Sequence, residues 1–458
     1  MRSAAGPRPA QLGTRSSAVR ARVVLASSLV AQATVLTIGL HRQFPARILW
    51  TEVTATVLFG LALLALHRSG LDQRRALLLV LGVGALFQLV ALTSAPTSSD
   101  DAYRYGWDAK VQLAGIDPYR YAPDASALDR LRTPTLFPAR SGCAWSLPDG
   151  RCSLINRPGV HTIYPPVAEA AFTAIRVVSF GVTDGTVPLR IVGALGAVAV
   201  AGVLARRAAQ LDRPAWTVAL WAWCPVTAVE IGNNAHIDWL AVLLAVLALG
   251  ALREHRPAWA GALLGAAVAT KIYPGLLVFS MLRRRPVVVT AAAAAVVVAS
   301  YVPHVAAVGT DVIGFLPGYL REEDYVSGTR FMLLDLVLPA GWVTVAGALV
   351  LAAAAAWTVR HADADAPEEA AVVLVGVALL VTTPGYAWYA LLLLALVSMT
   401  ARLEWLPLVL AMTVAMLAGP EVGRHGGALR TACFTAAALA VPVVHVLLRR
   451  RRAGSVIA

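Results

Sequence analysis

The run Ser98-Ser-Asp-Asp-Ala-Tyr-Arg-Tyr-Gly-Trp-Asp108 gathers the densest set of reactive side-chain types in the chain. It places the adjacent carboxylates Asp100 and Asp101 beside Arg104, Tyr105 and Trp107. Partial burial raises a carboxylate's pKa and suits it to general-base work. The same residues can instead cap a short helix from Ser98 to Asp101, and spacing leaves both readings open. Farther on, Gly115 to Pro123 is rigid, aromatic and charged. Asp117-Pro118 reads as a turn, while Tyr119 and Tyr121 either stack on a sugar ring or pack on the loop. In His161-Thr-Ile-Tyr-Pro-Pro166, Tyr164 precedes prolines that fix extended chain and start a helix.

Later segments add charge. Glu230-Ile-Gly-Asn-Asn-Ala-His-Ile-Asp238 joins apolar runs. Glu230, His236 and Asp238 are metal-ligand types at an undiagnostic spacing, and a hydrogen-bonded connector is the simpler reading. Lys271, in Thr270-Lys-Ile-Tyr-Pro274, is an ionisable residue in an apolar region, which marks a functional position. Its charge suits a lipid phosphate; the alternative is snorkelling to the interface. Arg321, Glu322, Glu323, Asp324 and Arg330 form a charged loop after Gly318. Cys143 and Cys152 flank Pro148, Asp149 and Gly150 and read as a disulfide closing a turn in an oxidising compartment. Their spacing does not suit zinc; Cys224 and Cys433 read as packing.

The elements that must hold these groups are transmembrane helices. Of 458 residues, 58% are hydrophobic and 14% charged, against about half and a quarter in soluble domains. The apolar residues come in runs of roughly 16 to 22, the length that spans about 30 Å of hydrocarbon. In lipid such runs must be helices, and the short alternating segments of a barrel are absent. The net charge of +13 sits in short arginine-rich loops: Arg68, Arg74 and Arg75; Arg206, Arg207 and Arg213; Arg253 and Arg256; Arg283 to Arg285; Arg449 to Arg452. That is the positive-inside pattern. No basic face with interleaved aromatics points to nucleic acid. The basic N-terminus leads into a run too long for a cleaved signal, so it reads as an uncleaved first helix.

The expected map has a cytoplasmic tail over 1–21, a membrane domain over 22–448 and a cytoplasmic tail over 449–458. The first three spans lie near Val23–Leu40, Leu49–Leu66 and Ala76–Leu92, and a long extracytoplasmic loop over 93–187 follows. Val167–Phe180, with Glu169 and Arg176, reads as an interfacial helix, because a span there would invert every later basic loop. Further spans fall near Leu189–Leu204, Trp216–Ile231, Trp239–Leu252, Ala258–Thr270, Pro274–Leu282 and Val287–Tyr301. The last lie near Val343–Val359, Ala370–Val381, Ala387–Met399, Leu406–Leu417 and Ala428–Leu448. The total is about 14 crossings, and both termini fall in the cytoplasm of a cell membrane.

Asp100 to Pro123 resembles the first outer loop of actinobacterial membrane glycosyltransferases of the GT-C type. The likeness is to glycosyltransferase family 87, which includes polyprenyl-phosphate-mannose-dependent mannosyltransferases. Ile163-Tyr-Pro-Pro166, Gly232-Asn-Asn-Ala-His-Ile-Asp238 and Thr270-Lys-Ile-Tyr-Pro274 resemble later family blocks in the same order. The resemblance implies an all-α, polytopic GT-C-like bundle and an inverting transfer of a sugar from a polyprenyl-phosphate donor. The acceptor would be a hydroxyl of a cell-envelope glycolipid or polysaccharide. It also implies a catalytic carboxylate at Asp101, with Asp100 second. Lys271, Arg104 and Arg330 are the candidates for holding the donor phosphate. Tyr105, Trp107, Tyr119, Tyr164, Asn234, His236 and Asp238 are candidates for contacting substrate. No ligand set implies a cofactor, and a divalent metal is left open. The competing function is a transporter or flippase of lipid-linked sugars. Transporters tend to carry inverted repeats and midplane charges, whereas no repeat is found here and the polar groups gather at helix ends.

Overall fold

The computed structural model describes residues 9–41, 45–139, 143, 145–147, 149–179, 184–422 and 426–456. Residues 1–8 and 457–458 of the two expected tails, Pro148 in the expected turn and Phe180 fall outside this set.

The apolar periodicity resolves into helices throughout. Three long helices open the chain: α1 (Pro9–His41), α2 (Pro45–Arg68) and α3 (Gln73–Ala91). The hydrophilic stretch then holds α4 (Asp101–Leu113), a 3-10 turn (Ser126–Leu131), the hairpin β1 (Trp145–Ser146) with β2 (Cys152–Ser153), and α5 (Pro166–Val178). Next come α6 (Val187–Gln210), α7 (Trp216–Ala222), α8 (Pro225–Thr227), α9 (Asp238–Arg253), α10 (Pro257–Val268) and α11 (Val278–Met281). The remainder comprises α12 (Pro286–Val308), α13 (Leu316–Glu322), α14 (Met332–Asp335), α15 (Ala340–His361), α16 (Pro367–Thr382), α17 (Ala390–Thr400), α18 (Leu406–Val422) and α19 (Gly426–Val456). Both expected tails are partly helical, since α1 begins at Pro9 and α19 runs to Val456.

Among the described residues, seven helices are long and apolar enough to cross a membrane, or eight if one bent pair counts as a span. The sequence map counted shorter runs as crossings too. These are helical, but Pro257–Val268, Ala387–Thr400 and Leu403–Leu417 run only 10–17 residues. α10 gives way to the Lys271 turn after Val268, and α17 ends at Ala401, whose backbone is left-handed (φ 58°). The long apolar helices make this a membrane protein.

Two kinds of surface divide the bundle. Every residue of α17 is buried, so this helix, apolar but for Ser398 and Thr400, forms the centre. By contrast α12 buries only Val289 and turns Val287, Val298 and Val302 outward, as a lipid-facing helix does. In lipid, helices associate by close backbone approach at small residues. Gly261 and Gly265 of α10 provide that against α12. A Cβ there would lie 2.2 Å from the Val289 carbonyl oxygen and 2.4 Å from that of Ala293.

The bend that matters most lies between Pro225–Asn233 and α9, which turn by 120°. A π-type turn over Ala228–Asn233 and a left-handed Ala235 (φ 61°) make the corner. Polar groups freed at such a break need partners inside the protein. Asn233 Nδ2 donates to the Ala91 carbonyl (3.2 Å) and to Ser94 Oγ (2.9 Å), and its Oδ1 accepts from the Thr97 amide (3.0 Å). Asn234 Oδ1 accepts from the Thr97 and Ser98 amides. The corner is thereby tied to the chain that leads into α4.

Candidate active site

A cavity of about 1330 Å³ opens where α4, the segment before α5, the Lys271 turn, α13 and the start of α17 converge. Its wall is of two kinds. Asp100, Asp101, Arg157, Tyr164, Lys271 and Arg330 give one part charge and hydroxyls. Ile272, Leu276, Phe279, Leu351, Leu379 and Leu417 line an apolar part.

Asp101 is the first residue of α4, where the backbone dipole favours negative charge. The Ser99 hydroxyl caps its amide at 3.2 Å, while the Asp100 side chain makes no cap bond. The capping foreseen for this run therefore falls to Ser99, and both carboxylates are left for other contacts. Asp101 Oδ1 accepts from Asn156 Nδ2 at 2.6 Å, and Oδ2 accepts from the Tyr164 hydroxyl at 3.0 Å. Burial, then the neighbouring Asp101, pushes the Tyr164 phenol well up, so it stays protonated and donates. Asp100 Oδ2 instead accepts from the Trp145 indole at 3.2 Å. Lost hydration raises the Asp100 pKa, the Trp145 bond lowers it, and Asp101 raises it again.

Trp145 reaches Asp100 from β1, which pairs with β2 through Trp145 opposite Ser153. The Cys143–Cys152 disulfide closes this hairpin. Asn156 and Arg157 follow directly and face the same cavity.

Lys271 lies on the wall with Nζ 3.3 Å from Asp238 Oδ2 and 5.2 Å above the Tyr164 ring centroid. Tyr273 donates to the other Asp238 oxygen at 3.2 Å. Arg330 also lines the cavity, paired with Glu323 and 5.1 Å from the Tyr325 ring. Arg104 reaches the wall, but its Nε donates to Asp108 at 2.9 Å and its Nη1 to the Val160 carbonyl at 3.1 Å. Its charge is committed within the fold. Beneath it Glu169 accepts from Gln112 and Thr162, both at 2.8 Å. Burial and the nearby Asp108 hold the Glu169 pKa well above the usual carboxylate range.

The residues singled out for substrate contact separate into wall, support and core. Tyr164 is on the wall. Asn234, His236 and Asp238 are fully buried behind it. Tyr105 stacks on Phe172 at 4.3 Å, Trp107 packs on Phe137, and Tyr119 gives its hydroxyl to the Tyr164 carbonyl at 2.6 Å. None of these last three lines the cavity. Their aromatic character serves packing of α4 and its loop, the alternative that spacing left open for Tyr119. Arg157, Tyr319, Tyr386, Trp388 and Tyr389 line it as well, and sequence reasoning passed them over. The cluster Tyr386-Ala-Trp-Tyr389 was the available signal, since aromatics bearing polar atoms bunch just after Thr383-Pro384-Gly385. Among the described residues, no group of three or more His, Cys, Asp or Glu is placed to hold a metal.

Comparison with known families bears on the general chemistry. Residues 162–384 match glycosyltransferase family 87. The match indicates a glycosyltransferase, and it covers Tyr164, the corner at Glu230–Asp238, Lys271 and Arg330. Asp100 and Asp101 lie ahead of the matched stretch, yet Tyr164 and His236 from within it enclose Asp101. No curated protein and no solved structure matches the chain.

Proposed function

We propose that this glycosyltransferase moves a sugar, mannose first among the choices, from a polyprenyl phosphate to a hydroxyl of a cell-envelope glycolipid or polysaccharide. The observation that carries this reading is the two-part cavity. Carboxylates and cations share the cavity with an apolar surface, of the chemistry that would take an isoprenoid tail. A lipid-phosphate sugar has the matching parts, whereas a nucleotide sugar has nothing to lay along Phe279 and Leu379.

In this reading Asp101 is the general base. As the acceptor oxygen attacks the anomeric carbon, its proton passes to a free lone pair on Asp101. The bond from the anomeric carbon to the phosphate oxygen breaks, and the electron pair leaves with the phosphate. Displacement from the opposite face inverts that carbon. Lys271 and Arg330 neutralise the departing phosphate, with Asp238 and Glu323 holding them until it arrives. Arg104, already paired with Asp108, shapes the wall. Asp101 is preferred over Asp100 because Asn156 and Tyr164 fix its orientation, whereas Asp100 has a single bond to a hairpin side chain. The site belongs on the outer face, with about 14 crossings and cytoplasmic termini, as the arginine pattern implies.

Supplying membranes with radiolabelled polyprenyl-phosphate mannose tests the reading. The expected outcome is a labelled product whose anomeric configuration is opposite to the donor's. Retained configuration would overturn single displacement.

A further inference from the structure

His236 stands behind Asp101, off the cavity wall. It sits at the 120° corner, fully buried. Its Nδ1 lies 3.6 Å from Asp101 Oδ2, and its Nε2 lies 3.3 Å from Glu230 Oε2. These contacts leave opposite edges of the ring, so the imidazole bridges two carboxylates and cannot gather them around one ion. Trp388 stacks on the ring face at 3.9 Å and fixes its plane. Neither ring nitrogen has a closed hydrogen bond, which is costly in a buried site. Contacts to a catalytic base are often long before substrate binds and tighten in the reacting complex.

Glu230 is itself 2% exposed, and a buried carboxylate persists only with partners. Asn234 Nδ2 donates to its Oε2 at 3.2 Å; the other group facing that oxygen is His236. The other ionisable groups nearby are Tyr164, bonded to the same Asp101 oxygen, Asp100 next to it, Asp238, paired with Lys271, buried Tyr105 close to Asp101, and buried Glu52 close to Glu230.

We propose that His236 is a positioning residue for Asp101, itself held by Glu230, in a chain Asp101–His236–Glu230. The ring donates to Asp101 and favours its charged form, so the carboxylate is anionic and aimed when the acceptor hydroxyl arrives. A base oriented by a second side chain, which a third then fixes, is a recurring catalytic design. The proposal rests on Asp101 being the base.

The test compares purified full-length wild type with Asp101→Asn, His236→Gln and Glu230→Gln in a sugar-transfer assay across pH. Gln at either position keeps an amide for hydrogen bonding and removes the titratable group. His236→Gln is expected to lower kcat by about 10²-fold, with the KM for donor changed less than about threefold. The acid limb of kcat/KM should also move to higher pH, because the imidazole N–H that favours the carboxylate is lost. Glu230→Gln should shift both quantities in the same direction by less. Wild-type kcat with an unmoved acid limb in both variants overturns the proposal. So does a loss in kcat with the acid limb unmoved, which is what a merely structural ring would give. If His236→Gln does not fold, Glu230→Gln decides by the same two outcomes. An active Asp101→Asn is a different result: it removes the base assignment and the proposal with it.

Discussion

At the scale of single residues, the account depends on how Asp101 is held. Tyr164 supplies a hydroxyl to one oxygen and Asn156 an amide to the other. A hydrogen bond to a charged group is worth about 1.5–3 kcal/mol. Tyr164→Phe should therefore lower kcat at least about tenfold while the protein still inserts and purifies; steady-state kinetics on the variant checks this. Glu169 offers a prediction on stability. Burial and Asp108 raise its pKa in the folded protein, so folding favours its neutral form. The sign follows: no cost below the ordinary Glu range, and a growing cost as pH rises toward the raised value. Thermal melts in detergent from pH 5 to 9 should show Glu169→Gln gaining on wild type as pH increases. A constant difference across that range would contradict the assignment.

At the scale of elements, the sequence disclosed the helices more readily than their breaks. Apolar runs such as Val23–Leu40 and Val287–Tyr301 are legible because lipid forces any long apolar stretch into a helix. The corner at Glu230–Asp238 was legible as a connector, from its run of polar residues between apolar ones. Its 120° turn and its link to Thr97 and Ser98 were not, because they come from side-chain bonds across about 136 positions of chain. The same limit explains the site. Asp101, Tyr164 and Lys271 stood out by type, but Trp388 looked like one more apolar residue and Arg157 like one more loop charge. Tyr105 and Trp107 stood out by type too but lie off the cavity wall, since aromatic residues near a carboxylate pack a helix as readily as they bind a sugar. Close packing of α10 on α12 gives a prediction here. Gly265→Val places two methyl groups where a single Cβ would already meet the Ala293 carbonyl at 2.4 Å. Overpacking of this kind costs about 1–3 kcal/mol, read as a lowered Tm with reduced transfer. An unchanged Tm would show that α12 moves aside freely.

At the scale of the whole molecule, charge and hydrophobicity divide the labour. In the proposed topology the arginine-rich loops set the orientation; lipid-facing helices such as α12 and α15 surround the bundle, and α17 fills its centre. What remains is a cavity shared by the loop between α3 and α6 and by the C-terminal helices. That shared cavity takes Asp100 and Asp101 from ahead of the matched stretch 162–384, and Tyr164, Lys271 and Arg330 from within it. The orientation has its own check: a GFP fused after Ala458 should fluoresce in intact cells, and a folded, membrane-inserted but dark fusion would contradict cytoplasmic termini.

The measurement that bears most directly on the central claim is sugar transfer in membranes overproducing the wild type or Asp101→Asn, each given radiolabelled polyprenyl-phosphate mannose. Labelled acceptor in the wild type and a loss of about 10²- to 10⁴-fold in the variant, at equal protein level, is the predicted result. Equal labelling by both proteins would remove Asp101 from the mechanism. No product from this or any other polyprenyl-phosphate sugar, with labelled lipid instead crossing the bilayer, would contradict transfer itself.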